Sequence, residues 1–334
     1  MVAGRHYALT VAEIAWRILA ESGGGLQNIV SGFKQRVLER LLGEDAGLSG
    51  IVRGNIRRVV EAYYGPLLEG LERLGLSYVD AKYRLDSKLL VGASSGIFAA
   101  VFEVGLSWDM LFDLPYIPGS SLKGLLRGWA LARCAEQSSQ KDRRRCAELV
   151  FLLFGASRGQ LAGRSEENWF RSVFGAVPVA AEAWAGLVAL YDAYPVASGS
   201  GSLASGLLEA DVVTPHYYRG GNPVSDELGA TPVPVPHVVV APGTVFRIVA
   251  SLEGTEAEEA AKELAGLTLR HSGDGVSGLA RMLDEALRWG IGARTGRGYG
   301  HAERAGDPAL KLFSIKLRRR GRVSWRQQGP RGRR

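Results

Sequence analysis

Pro115-Tyr-Ile-Pro-Gly-Ser-Ser-Leu-Lys-Gly-Leu-Leu-Arg127 is the stretch on which the fold turns. Pro118-Gly119 forces a turn, and Ser120 or Ser121 offers a side-chain oxygen suited to capping a helix. Beyond it, Leu122, Leu125, Leu126 and Trp129 recur on one helical face, while Ser120, Lys123 and Arg127 fall on another. The spacing predicts a helix running toward Ala135. Free amides at a helix start, joined by Lys and Arg, suit a phosphate group; an ordinary capped helix with a solvated lysine has the same pattern. A Walker A loop is excluded, because Lys123 is followed by Gly124 and not by Ser or Thr.

Upstream, Tyr83–Val91 reads as the first strand, followed by a Gly/Ser turn at Gly92–Gly96. Further back, Thr10–Glu21, Phe33–Leu42 and Ile51–Glu72 carry apolar residues at three- and four-residue spacings with glycine breaks between them, the pattern of a helical extension. Downstream, residues 136–147 read as a polar helix or loop, and Gly186–Tyr194 as a strand. Glu209–Tyr218 is extended and leads into a Gly/Pro-rich loop that reaches Pro236. His237–Val240 and Thr244–Leu252 read as strands joined at Pro242-Gly243, then Thr255–Leu264 and Ser277–Trp289 as helices, with Leu310–Leu317 extended at the end. Strands and helices are interspersed and joined by long loops, which points to an α+β fold.

The second informative stretch is Gly290-Ile-Gly-Ala-Arg-Thr-Gly-Arg-Gly-Tyr-Gly300. Its glycines allow a backbone to approach a ligand closely, Arg294 and Arg297 bring charge, and Tyr299 has a ring that could stack on a base. A dinucleotide-binding loop needs a strand before it and a helix after it. Here the order is reversed, so nicotinamide binding is excluded. A glycine-rich connector is the plainer alternative.

The 334 residues leave room for one elaborated domain or two small ones, and 46% hydrophobic composition supports a substantial core. No apolar run approaches the length of a membrane span, and the first twenty residues make a poor signal peptide because Glu13 interrupts them. Cys134 and Cys146 have no histidine pattern nearby, so neither a zinc site nor a disulfide framework is expected, and the cytoplasm is the default location. The formal net charge of +7 is uneven. Lys311–Arg334 holds ten basic residues and no acidic one, which leaves 31 basic against 34 acidic residues in the body. Such a tail suits RNA phosphates, an acidic protein surface, or solubility alone. Abundant Arg, Gly and Ala with few Cys and Met is a composition found in thermally adapted proteins.

A Pro-Gly-Ser-Ser-Leu-Lys-Gly helix start with a C-terminal glycine-rich loop resembles the RAMP superfamily of CRISPR proteins. More narrowly, Gly105-Leu-Ser-Trp-Asp109, Leu114–Gly119, Tyr191-Asp-Ala-Tyr-Pro195 and Asp211–Tyr218 resemble the family of sixth subunits of the type III-B (Cmr) effector complex, in order across residues 80–317. The resemblance implies a ferredoxin-like, RRM-type core with long insertions over residues 77–317 and a helical extension over 1–76; it does not account for the basic tail, 318–334. It implies a non-catalytic subunit of an antiviral ribonucleoprotein. Its partners would be guide RNA near the 3′ end, target RNA and other Cmr subunits, and no cofactor or metal is expected. Carried onto this chain, Ser120, Ser121, Lys123 and Arg127 with Gly292, Arg294, Gly296, Arg297 and Gly298 would face the guide RNA. Some RAMP proteins are metal-independent, guide-processing endoribonucleases that use histidine, which makes His216 and His301 the candidates if this chain cleaves RNA. A purely protein–protein scaffold is the other alternative. Asp109, Asp192 and Asp211 could hold Mg²⁺ in principle, but solvated or helix-capping roles fit isolated aspartates better.

Overall fold

Alternation along Ser77–Leu85 builds the central strand, β1. Ser77, Val79, Ala81, Tyr83 and Leu85 are buried on one side, while Asp80, Lys82 and Arg84 alternate on the other; that is the two-residue period of a strand with unlike faces. The computed structural model describes residues 6–21, 32–94, 96–155, 164–175, 185–214, 218–219, 222–223 and 234–313. Ahead of β1 come α1 (Tyr7–Glu21), α2 (Phe33–Val59), a π-helical turn at Val60–Tyr64 and α3 (Gly65–Leu74). After it follow α4 (Gly96–Phe102), the ribbon of β2 (Trp108–Asp109) and β3 (Leu114–Pro115), then α5 (Gly119–Ala135), α6 (Gln140–Phe154) and α7 (Arg164–Phe174).

The remaining strands are β4 (Val188–Leu190), β5 (Tyr194–Ala197), β6 (Leu208–Val213), β7 (Tyr218–Arg219), β8 (Asn222–Pro223), β9 (Val235–Val240) and β10 (Val245–Leu252). Helices α8 (Gly254–Leu269) and α9 (Gly275–Arg288) then lead to β11 (Ala302–Arg304) and β12 (Ala309–Lys311).

This is a mixed α+β fold around an antiparallel sheet. Its order is β11–β1–β10–β4, with β12 also pairing with β1 and β5 with β10. In chain order the strands stand fourth, first, third, second, which splits each strand–helix–strand unit around a neighbour. β1 and β10 are paired from Ser77↔Leu252 to Arg84↔Val245. β6 and β9 form a separate ribbon, from Leu208↔Val240 to Val213↔Val235.

Helices cover both faces of the sheet. On the Val79 side, Tyr83 donates its hydroxyl to Asp284 of α9 at 3.0 Å, and Arg304 of β11 pairs with the same carboxylate. On the other side, Arg247 of β10 grips Asp80 through two bonds of 2.6 and 2.8 Å and lies 4.8 Å from the Tyr64 ring centre. The Tyr64 hydroxyl donates to the Arg247 carbonyl at 2.6 Å and accepts the Tyr194 amide at 2.8 Å. The π-helical turn is thereby fastened to two strands. Asp113, only 2% exposed, accepts the amides of Tyr7 and Ala8 at 2.6 and 3.2 Å and the Trp108 indole at 2.9 Å. A carboxylate at the positive end of α1 is a favourable cap, and it pins the first helix to the core.

Three expectations are corrected. The first strand occupies Ser77–Leu85 and not Tyr83–Val91, because Leu89–Val91 are buried without being strand: the Lys88 and Leu90 carbonyls turn instead to the glycine loop. Gly43 and Gly50 do not break α2, which runs through both. Cys134 and Cys146 form a disulfide. A short turn at 136–139 folds α6 back onto α5 and brings the two Cα atoms to 5.4 Å, with both cysteines fully buried.

Candidate nucleic-acid interface

Helix α5 begins at Gly119, with Pro118 as its cap, and neither Ser120 nor Ser121 caps it. The start is fixed from elsewhere. Asp192, in the break between β4 and β5, accepts the Gly119 amide at 2.7 Å, and the Ser121 and Leu122 amides turn to the Pro118 carbonyl at 2.9 and 3.2 Å. A Cβ on Gly119 would strike the Leu190 carbonyl, so only glycine lets α5 sit this close to β4. The protein's own carboxylate thus occupies the positive end of the helix that sequence reading offered to phosphate. Ser120 remains exposed beside it.

Lys123 and Arg127 are half-buried, and neither pairs with a carboxylate among the described residues. Arg127 lies 5.3 Å from the Phe151 ring centre of α6, and its buried Nε finds no hydrogen-bond acceptor. Burial lowers the pKa of both side chains. Two cations desolvated without a counter-charge are a setting that an anion would relieve.

The glycine stretch is a closed lobe. The Ile291 amide meets the Gly300 carbonyl at 2.9 Å across its neck, and the Ala293 and Gly300 amides reach the Leu90 and Lys88 carbonyls at 2.7 and 2.8 Å. Gly292 has φ 90° and sits against the Leu90 carbonyl, where a side chain would collide. A 3₁₀ turn, Thr295–Arg297, forms the tip between left-handed Arg294 and Gly298. Gly296, Arg297 and Gly298 are exposed, and Arg297 has no carboxylate partner among the described residues. The half-buried Arg294 points inward, its Nη1 3.3 Å from Nε2 of His237 and its guanidinium 5.7 Å from the Tyr299 ring centre.

Polar groups on three other segments hold this lobe. Tyr299 donates its hydroxyl to Asp211 of β6, and the Lys88 Nζ reaches the same carboxylate at 3.2 Å and Glu209 at 3.3 Å. Burial alone would raise the Asp211 pKa, but the Tyr299 hydroxyl, the Val212 amide and Lys88 together hold it below the usual carboxylate range. His237 of β9 is fully buried; burial lowers its pKa, and the Arg294 cation lowers it further. The Tyr299 phenol is raised by burial and then by Asp211. The ring expected to stack on a base is therefore engaged on its face by Arg294 and at its tip by Asp211.

The two sequence motifs do meet. Ser121 and Leu125 of α5 face Gly290, Ile291, Gly292 and Thr295 across an open groove. Lys123 and Arg127 lie on a different flank of α5, since residues two apart on a helix point away from one another. Leu125, expected in the core with Leu122, Leu126 and Trp129, is only partly buried and lines the groove instead. Sequence reading missed Lys88, Asp192 and His237 as supports, because each acts on a segment distant in the chain. Of the histidine candidates, His216 lies outside the described residues, and His301 holds the Arg288 carbonyl with Nδ1 at 2.7 Å. Asp109 accepts the Leu111 and Phe112 amides and the Tyr194 hydroxyl, so all three aspartates raised as metal candidates are engaged by protein donors. Among the described residues no group of three or more His, Cys, Asp or Glu side chains could hold a metal, and no helix is long and apolar enough to cross a membrane.

A sequence profile of the RAMP superfamily matches residues 82–303, which takes in the end of β1, α5, the groove and the whole glycine lobe. The chain belongs to the RAMP superfamily. Membership implies a ferredoxin-like core, and the fourth–first–third–second strand order agrees with it. Within the superfamily the chain is related at moderate identity to Cmr6 of the type III-B Cmr complex. It is 28% identical over 188 residues to the CRISPR system CMR subunit Cmr6 of Saccharolobus solfataricus, a match covering 56% of this chain and 50% of that one. The chain thus spans half the length of that curated relative. Two solved structures are also similar. One is the type III-B Cmr-beta complex bound to cognate target RNA, at 24% identity, TM-score 0.48, and coverage of 76% of this chain and 67% of that one. The other is Cmr6 from Pyrococcus furiosus, at 20% identity, TM-score 0.33, and coverage of 70% and 99%.

Proposed function

We propose that the chain is a non-catalytic RNA-binding subunit of a type III-B CRISPR (Cmr) ribonucleoprotein, contacting the guide RNA toward its 3′ end and supporting target-RNA interference. The observation that carries this reading is the groove where the start of α5 faces the glycine lobe as far as Thr295, with exposed Gly296, Arg297 and Gly298 following Thr295 at the lobe's tip. Ser120 and Gly124 lie on the exposed side of α5, between the lobe on one flank and Lys123 and Arg127 on the other. A phosphodiester chain running along that side would meet cations on both flanks, and small residues would let it approach the helix closely. Guide RNA, target RNA and other Cmr subunits would be its partners.

The test is to tag the full chain in its host and identify what co-purifies. The expected result is short guide RNA together with other Cmr subunits; recovery of the chain free of RNA would refute the reading. A single-turnover assay on repeat RNA separates this subunit from a guide-processing endoribonuclease, and no cleavage is expected. RNA crosslinking separates it from a purely protein–protein scaffold.

A further inference from the structure

The lobe has a second aromatic residue, at its neck. Trp289 directly follows α9 and precedes Gly290, and its amide is tied to the Ala286 carbonyl at 3.0 Å. Gly290 lines the groove opposite Ser121 and Leu125. On the other side of the neck, the His301 ring is bonded to the carbonyl of Arg288, the residue just before Trp289. The backbone of Trp289 is therefore clamped from both directions. Its side chain is not: the residue is 49% exposed, and its indole N–H has no partner among the described residues. Tyr299 differs on both counts, being half-buried with its face and hydroxyl engaged.

A rigidly mounted, half-exposed indole at the neck of a lobe whose tip carries Arg297 and exposed glycines matches what single-stranded RNA requires. The π-face takes a base of any identity, and the cation takes the backbone. A protein partner would gain from the ring and Arg297 as well, but the exposed glycines on either side of Arg297 favour a phosphodiester chain, which can approach side-chain-free backbone closely. We propose that Trp289 is the base-stacking residue of this interface, with an unpaired nucleobase on its indole and the adjoining phosphates at Gly296, Arg297 and Gly298. This inference rests on the RNA-binding reading above.

The experiment uses the full chain and two labelled probes: an oligoadenylate of about twelve nucleotides, and the same oligomer with abasic riboses. Trp289→Ala should weaken oligoadenylate binding on the order of tenfold, with the melting temperature unchanged, and Trp289→Tyr should recover most of the loss. On the abasic oligomer, wild type and Trp289→Ala should bind alike, since no base remains to stack. A double Arg294→Ala, Arg297→Ala variant should lose affinity for both probes. If that double variant loses affinity while Trp289→Ala keeps it, stacking at Trp289 is overturned and the RNA-binding reading stands. If neither variant loses affinity, both fall. Full RNA affinity in Trp289→Ala, with loss of co-purifying subunits, would assign the ring to a protein contact and overturn the proposal.

Discussion

Tyr299 gives its hydroxyl to Asp211, which ties the last ring of the glycine lobe to strand β6, 88 residues earlier in the chain. Lys88 completes the link from a third segment. The lobe is positioned by a carboxylate shared between two donors, and its stance depends on that carboxylate staying ionised.

Removing one donor tests this directly. Tyr299→Phe should destabilise the protein by about 1 kcal/mol, below the full value of a charge-assisted hydrogen bond because the site is only half-buried. RNA affinity per folded molecule should not change. Thermal melting and binding measured together check it; lost affinity with unchanged melting would instead place the Tyr299 ring on a base.

The arginines of the lobe should behave differently. A double Arg294→Ala, Arg297→Ala change should weaken binding similarly for unrelated guide sequences, since phosphate contacts carry no base information. If each arginine neutralises one phosphate of a single strand, the slope of log affinity against log salt should become shallower by about 1.4. Titrations at several salt concentrations measure this, and an unchanged slope would mean that neither side chain meets a phosphate.

Much of this was legible in the sequence, and the misses have physical causes. The helix that starts beside Pro118, its apolar stripe Leu122, Leu126 and Trp129, and the glycine loop follow from local patterns, whereas Gly119, expected in a turn, is the first residue of that helix. The first strand was displaced because Leu89-Leu90-Val91 looks like strand core, whereas the alternation at Val79, Ala81 and Tyr83 is interrupted by polar and charged residues that a one-sided strand tolerates. The helix start departs from the expected serine cap because Asp192 reaches Gly119 across 73 positions, and no local rule anticipates a partner supplied from a distant break between strands. Arg294 brings charge to the loop as its sequence suggests, but nothing near it in sequence announces its contact with His237.

Lys123 and Arg127 provide a third test. Lys123→Ala should leave the fold intact and weaken RNA binding. Arg127→Met keeps the packing against Phe151 while removing a desolvated cation whose Nε has no acceptor, so stability should hold or rise by about 1 kcal/mol. RNA affinity should fall in both variants. A large drop in melting temperature for Arg127→Met would show that the guanidinium supports the fold.

The disulfide joining α5 to α6 should be structural. A closed loop of this length contributes about 3 kcal/mol in the chain-entropy description. Cys134→Ala with Cys146→Ala should lower the melting temperature by several degrees and leave RNA affinity per folded molecule intact, as calorimetry alongside binding would measure.

Acid should loosen the lobe. The His237 pKa is lowered in the folded protein, so between its ordinary value of about 6.5 and the depressed one the unfolded chain binds the extra proton. Stability from this group is therefore complete above about pH 6.5 and declines as pH falls below it. Protonation would also remove the acceptor facing Arg294 and set two cations against one another. His237→Gln should flatten the pH dependence of denaturant midpoints between pH 7 and 5, and an unchanged slope would remove His237 from this role.

Tyr64 and the helices around it lie over the sheet face that carries Asp80 and Arg247. In an RRM domain a sheet face of this kind is the reading platform, on which strand aromatics stack bases. This chain has closed that platform with its own N-terminal segment, and its exposed glycines, Arg297 and the Trp289 indole lie on the loop that leads into the edge strand β11. If RNA binds at that edge, the central strands have no contact with it and answer to packing alone. On the reading proposed above, recognition would depend instead on the separation between one helix and one loop, a distance that the buried strands set without touching what is bound.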